Sequence, residues 1–148
     1  MAETNFMELA LQEAEAAAIR GEVPVGCVIV QDGAVIAKAG NRTFTDRDPT
    51  AHAELLALRE AARALGSERL NACDLYVTLE PCTMCAAAIS FARIRRLYFG
   101  ALDPKGGAVD SGVRFFHPPT CHHRPEVSGG IHEAKAAALL MDFFAARR

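Results

Sequence analysis

The chain has no apolar stretch approaching the length needed to cross a bilayer. Its acidic, alanine-rich amino terminus lacks the basic start and apolar run of a secretion signal. These absences predict a cytoplasmic protein with no membrane partner. There is no Pro/Gly/Ser-rich linker, low-complexity run or internal repeat, so the 148 residues predict one domain, 1–148, large enough for a substantial core. An excess of positive charge is also missing: the formal net charge is −2, which by itself gives no support for nucleic-acid binding. The cysteines number five, an odd count that argues against a disulfide framework. Cys27 and Cys73 lie in apolar, strand-like surroundings and read as small buried hydrophobes.

The charge that is present is unevenly spread. Met1 to Glu22 carries five acids and one base, whereas Arg93 to Arg124 carries six bases (Arg93, Arg95, Arg96, Lys105, Arg114 and Arg124) against Asp103 and Asp110. Such a run either forms a stripe that contacts phosphates or consists of ordinary solvated and interface charges.

The chemistry-bearing residues are His52-Ala53-Glu54 and Pro81-Cys82-Thr83-Met84-Cys85, whose first cysteine lies 28 residues after that glutamate. Imidazole nitrogen and thiolate sulfur suit zinc, and a catalytic zinc keeps three protein ligands with a fourth position open. His52, Cys82 and Cys85 supply those three. The ion lowers the pKa of a water toward ~7, and Glu54, which is not needed as a ligand, takes the released proton. A closed structural site would need a fourth ligand, for which His117, Cys121, His122 and His123 are candidates, but Glu54 would then have no task.

Flanking residues place both motifs at helix starts. Asp48-Pro49 predicts an N-cap and first turn, with Leu55, Leu58, Ala62 and Leu65 as the apolar stripe, and Pro81 opens a second helix in the same way. Cys82 and Cys85, three apart, then point to one side. His52 and Glu54, two apart, diverge within a helix, so they share a site only where both reach past its end. Elsewhere, Asn5 with Glu8 resembles a capping box opening a helix that runs to Gly21. Strands are predicted at Val25–Val30 and Ala34–Ala39, joined through Asp32-Gly33 as a hairpin, and at Leu75–Leu79 and Arg95–Phe99. A last helix covers about His132–Ala146. The strand-helix-strand alternation implies a parallel crossover. The fold class is therefore α/β, a mixed sheet with an antiparallel hairpin at one edge and helices on both faces.

His-x-Glu followed by Pro-Cys-x-x-Cys is the signature of zinc-dependent nucleobase deaminases. The chain resembles the cytidine deaminase-like superfamily, and within it the bacterial tRNA-specific adenosine deaminases, across almost its whole length. The resemblance is carried by Glu22-Val23-Pro24-Val25-Gly26, Asn41-Arg42, Asp48 to Glu54, Tyr76 to Cys82, Phe99-Gly100-Ala101 and Asp142-Phe143-Phe144. It departs over Val109 to His123, including the histidine cluster.

The resemblance implies a three-layer α-β-α fold on a five-stranded mixed sheet, with one Zn2+ per subunit and no organic cofactor. It further implies hydrolytic deamination of adenosine to inosine at the wobble position of a tRNA anticodon stem-loop, by a homodimer whose sites draw on both subunits. By similarity, Asn41 hydrogen-bonds the flipped-out nucleotide, Asp103 and Lys105 lie in the loop that receives the anticodon, and Phe144 with Arg147 contacts flanking nucleotides. On the residues alone, Asn41 is equally a turn residue and Phe144 equally a core or interface one. The competing readings are a deaminase of a free base or nucleoside and a non-catalytic zinc-stabilised RNA-binding module.

Overall fold

The computed structural model describes residues 2–147. A first helix, α1 (Ala2–Ile19), leads into strands β1 (Gly26–Gln31) and β2 (Ala34–Gly40). Helix α2 (Ala53–Leu65), strand β3 (Cys73–Leu79), helix α3 (Thr83–Ala92), strand β4 (Arg96–Ala101), the short strand β5 (Glu126–Ser128) and helix α4 (Glu133–Ala145) follow. The strands form one sheet in the order β2-β1-β3-β4-β5. β1 pairs antiparallel with β2 and β3, while β3, β4 and β5 run parallel.

Position in the sheet explains the strand compositions. β1 (GCVIVQ) and β3 (CDLYVTL) are central and buried along nearly their whole length, so they read as apolar runs. β2 lies at an edge and is half exposed. The β1–β2 hairpin turns at Asp32 (φ 52°) and Gly33 (φ 77°), both left-handed, as the Asp-Gly pair predicts. β5 (EVS) is exposed and only 3 residues long, with no apolar alternation to announce it, so only the resemblance had implied a fifth strand.

Two cores make the three layers. On one face, Ala53, Ala57, Leu58 and Ala61 of α2 and Ala86 and Ile89 of α3 pack with Ile29, Leu75, Val77 and Phe99. On the other, Met7, Ala10 and Leu11 of α1 and Ala136 of α4 pack with Val28, Val30 and Tyr76. Gly26 allows α1 its close approach: a Cβ there would lie 1.9 Å from the Ala10 carbonyl oxygen.

Three helix starts differ from the sequence reading. α1 begins at Ala2, so Asn5 lies within it and Glu8 instead pairs with Lys135 of α4 at 3.6 Å. Asp48 does make the expected local bond, its Oδ1 accepting from Thr50 N at 2.8 Å and Thr50 Oγ1 at 2.7 Å. The turn then ends, because His52 is extended (φ −77°, ψ 151°) and itself caps α2. Cys82 (φ −72°, ψ 176°) likewise caps α3 one residue after Pro81.

Candidate metal centre and active site

His52 and Cys82 hold the same position on two helices. Each is the N-cap, with extended backbone, and neither side chain caps its own helix, so both are free to turn toward a common point. Cys85 sits in the first turn of α3. His52 Nδ1 lies 3.7 Å from Cys82 Sγ and 3.5 Å from Cys85 Sγ. A tetrahedral zinc with ordinary Zn–N and Zn–S bonds holds nitrogen and sulfur about 3.6 Å apart. The donor set and spacing therefore fit a metal ion held by three protein ligands. This triad is the one such cluster among the described residues, its ligand atoms all within 4.8 Å of one another.

The closed-site alternative has no fourth ligand. Cys121 is buried against Ser90 and the His123 carbonyl oxygen, 3.2 Å from its sulfur, and His123 Nε2 lies 2.6 Å from the Ile94 carbonyl oxygen. That cluster braces the loop after β4 and leaves the triad open.

The two thiols of the triad are pushed in opposite directions by each other. Cys85 donates to Cys82 and holds its thiol down to about 4, with His52 adding to the effect. Cys85 is driven in the opposite direction by the same bond and by burial. A cation held by His52, Cys82 and Cys85 would favour both thiolates, as do the positive ends of the two helices.

Glu54, in the first turn of α2, meets the geometric requirement read from its spacing to His52: both side chains reach past the helix start into one cavity. That cavity, of about 250 Å³, is lined by Val23, Val25, Asn41, Thr43, His52, Glu54, Leu79, Glu80, Cys82 and Asp103. Glu54 is buried, and burial first, then the charge of Cys82, pushes its carboxyl up to about 7. A carboxyl with that pKa is equipped to take and return a proton near neutral pH.

Of the residues expected at the substrate, Asn41 and Asp103 line the cavity. Asn41 Oδ1 accepts the Ala53 N–H at 2.8 Å, which satisfies a free donor at the start of α2. Asp103 Oδ1 accepts from Lys105 N (3.2 Å) and Gly106 N (3.0 Å), shaping the loop after β4. Lys105, Phe144 and Arg147 do not line the cavity. Phe144 is exposed near the end of α4, and Arg147 lies over the Phe143 ring, 3.4 Å from its centroid.

The basic run is largely engaged within the chain. Arg95 pairs with Asp74 (3.0 Å) and Arg96 with Glu126 (3.2 Å), while Arg93 and Arg124 donate to backbone carbonyls. Among the described residues, the cavity wall holds no lysine or arginine.

Two residues that shape the cavity had been quoted in the sequence only as parts of motifs. Glu80 is buried, and its Oε2 accepts from the N–H groups of Val109 (3.0 Å), Asp110 (2.8 Å) and Ser111 (2.8 Å). Its Oε1 accepts from Asp103 N (3.0 Å) and Ser111 Oγ (2.9 Å). Ala108 N donates to Pro81 O at 2.8 Å, which ties the same loop to the ligand segment. Gly107 makes room for this, since a Cβ there would lie 2.5 Å from the Glu80 carboxyl carbon. Glu22, also buried, does the same for the loop after β2: it accepts from Thr43 Oγ1, Phe44 N, Thr45 N and Thr45 Oγ1. A Glu beside a Pro-Cys motif was the available signal for Glu80. Nothing local marked Glu22.

A sheet layered between helices, with an open His-Cys-Cys triad and a buried glutamate at two helix starts, defines a metal-dependent nucleobase deaminase. The family model of the cytidine and deoxycytidylate deaminase zinc-binding region matches residues 1–101. The tRNA-specific adenosine deaminase of Agrobacterium fabrum is 65% identical over 145 residues, covering 98% of this chain and 95% of that protein. A solved structure from a study of A-to-I editing by tRNA:A34 deaminases at the wobble position of transfer RNA superimposes with a TM-score of 0.91. It is 66% identical, covering 93% of this chain and 99% of its own. The guanine deaminase of Bacillus subtilis is 34% identical with a TM-score of 0.67, over 97% of this chain and 92% of its own. This chain belongs to the cytidine deaminase-like zinc deaminases and, within them, to the family of bacterial tRNA-specific adenosine deaminases.

Proposed function

We propose that the chain is a single-domain zinc-dependent hydrolase that deaminates adenosine to inosine at the wobble position of a tRNA anticodon, releasing ammonia. One observation carries the chemistry: His52, Cys82, Cys85 and Glu54 converge on one cavity wide enough for a nucleobase. The 65% identity to a tRNA-specific adenosine deaminase over nearly the whole chain carries the choice of substrate.

His52, Cys82 and Cys85 would hold the Zn2+, one per subunit, which when bound would supply Lewis acidity and a nucleophilic water near neutral pH. Glu54 accepts the proton that this water loses. It would deliver that proton to the ring nitrogen, where inosine keeps it, and then carry the remaining hydroxyl proton of the attacking water to the amine, which leaves as ammonia as the C–N bond breaks and the carbonyl forms. Burial keeps its carboxyl near the pKa such a shuttle needs. Asn41, with its oxygen committed to Ala53 N–H, has its amide nitrogen to donate to the flipped-out nucleotide. Asp103 and Lys105 receive the anticodon along the loop that Glu80 gathers, and Phe144 and Arg147 contact flanking nucleotides.

No described helix is long and apolar enough to cross a membrane. We place the enzyme in the cytoplasm as a homodimer, without an organic cofactor. The half-open apolar surface of Leu55, Leu58, Ala88, Phe91 and Ala92 on α2 and α3 suits the subunit contact.

The likeness to a guanine deaminase and the absence of lysine and arginine from the cavity wall favour one second reading, a free-base deaminase. The test is release of ammonia and inosine from an anticodon stem-loop with wobble adenosine, beside free adenosine, guanine and cytidine. Turnover of the stem-loop alone supports RNA editing. Turnover of guanine alone moves the protein to the second reading with the zinc chemistry intact. The non-catalytic module predicts turnover of neither.

A further inference from the structure

Beyond β2 the chain passes along the cavity wall at Asn41 and Thr43 and then carries Phe44 outward. Phe44 is 73% exposed and makes no aromatic ring contact among the described residues. Its backbone is nevertheless firmly held. Glu22 accepts from Phe44 N at 3.3 Å and from Thr45 N and Oγ1 at 2.7 and 2.6 Å. Arg42 Nε donates to Asp46 Oδ1 at 3.0 Å, Asp46 N to Arg42 O at 2.8 Å and Asp48 N to Thr43 O at 3.0 Å. An apolar ring held in water on a braced loop contributes nothing to the core.

The same loop presents one unpaired cation. Asp46 pairs with Arg42, and exposed Arg47, in a left-handed backbone conformation (φ 50°), makes no ion pair among the described residues, although Asp48, bonded by Thr50, remains an anion next to it in the chain. The neighbouring side chains Thr43, Thr45 and Asp46 are polar, so Phe44 is not part of an apolar patch of the kind that seats a protein partner. A single ring beside a free guanidinium is the combination that binds single-stranded nucleic acid, the ring taking a base face and the cation a phosphate. When one nucleotide enters the cavity, its neighbour in the strand must leave across the rim; Thr43 lines the cavity there, and Phe44 is the next residue outward.

We propose that Phe44 is a stacking platform for the base next to the deaminated nucleotide and that Arg47 meets the adjoining phosphate. The loop 42–48 thereby becomes a specificity-determining wall, with Glu22 as its positioning residue. The inference rests on the stem-loop reading above.

The sequence supplies its own probe. The chain contains no tryptophan, so Phe44→Trp introduces a single indole at the proposed contact. Its emission is expected to be quenched, saturably, by the anticodon stem-loop and not by free guanine. Phe44→Ala is expected to raise KM for the stem-loop by about 5- to 150-fold, more than it lowers kcat, with Phe44→Tyr restoring most of the loss. Arg47→Gln is expected to lower the slope of log affinity against log salt by about 0.7.

Unquenched emission together with a wild-type KM in Phe44→Ala overturns the inference while leaving the function standing. So does a Phe44→Ala protein that sediments as a smaller species, which would assign the ring to a subunit contact. A wild-type protein that ignores the stem-loop and turns over guanine overturns both this inference and the reading beneath it.

Discussion

The catalytic centre and the loops that wall it each turn on a buried glutamate, and the two regions treat that group in opposite ways. Glu54 is 4% exposed, Glu80 2% and Glu22 0%. Burial pushes all three toward the neutral form. At Glu54 burial prevails and the carboxyl rises to about 7. At Glu80 and Glu22 the accepted hydrogen bonds outweigh burial, and both carboxyls fall below their ordinary value. The lesson is that depth does not decide what a buried acid does. One with few donors is poised to exchange a proton, whereas one surrounded by donors is a permanent anion that fastens backbone.

The largest expected effect removes the exchanging acid. Glu54→Gln keeps the size and loses the proton shuttle, so turnover should fall by about 10²–10⁴-fold while one zinc per subunit is retained. Ammonia release and metal stoichiometry measured on one preparation check this, and a loss of metal instead would assign Glu54 to the ligand set. Glu80→Gln attacks the other side of the comparison. The new amide must turn its NH2 toward one of two donor sets, the N–H groups of Val109, Asp110 and Ser111 or Asp103 N–H with Ser111 Oγ, leaving buried donors unmatched. A loss of about 2–4 kcal/mol in denaturant unfolding is expected, with KM affected more than metal content.

A third test uses pH. Carboxyls depressed in the folded state stabilise above their unfolded pKa, near 4.5, and that contribution is lost as pH falls through the lower folded value. The thermal midpoint should therefore drop on acidification below about pH 4.5, and more shallowly in Glu80→Gln than in wild type. Equal slopes would mean that Glu80 is not held as an anion. The smallest effect is expected at Asn41→Ala. Losing the bond to Ala53 N–H should cost about 1 kcal/mol of stability, and any larger effect on kcat/KM would report its contact with substrate.

The metal centre was legible because its signals are short. His52 to Glu54 and Cys82 to Cys85 each span less than one helical turn, and helix starts carry their own markers. Even so, Asp48-Pro49 and Pro81 announced helices whose first residues lie further on. His52 and Cys82 needed the extended N-cap position that an earlier start would have denied to them. The hairpin at Asp32-Gly33 and the crossover from β3 to β4 were legible for the same local reasons. The basic run was not, because a list of charges does not show that Asp74 and Glu126 lie opposite Arg95 and Arg96.

The sequence by itself determined the ligand types, the acid that accompanies them, the order of the four longer strands and the helices, and the membership of a deaminase family. Only the tertiary structure decided that Glu54 shares a cavity with Asn41 and Asp103, that Glu80 binds Ser111 across 31 positions, and that Glu22 braces Thr45 across 23. Helix starts and turns are set by interactions among residues a few positions apart. A buried carboxylate instead acquires its role from donors that only the folded sheet brings within reach.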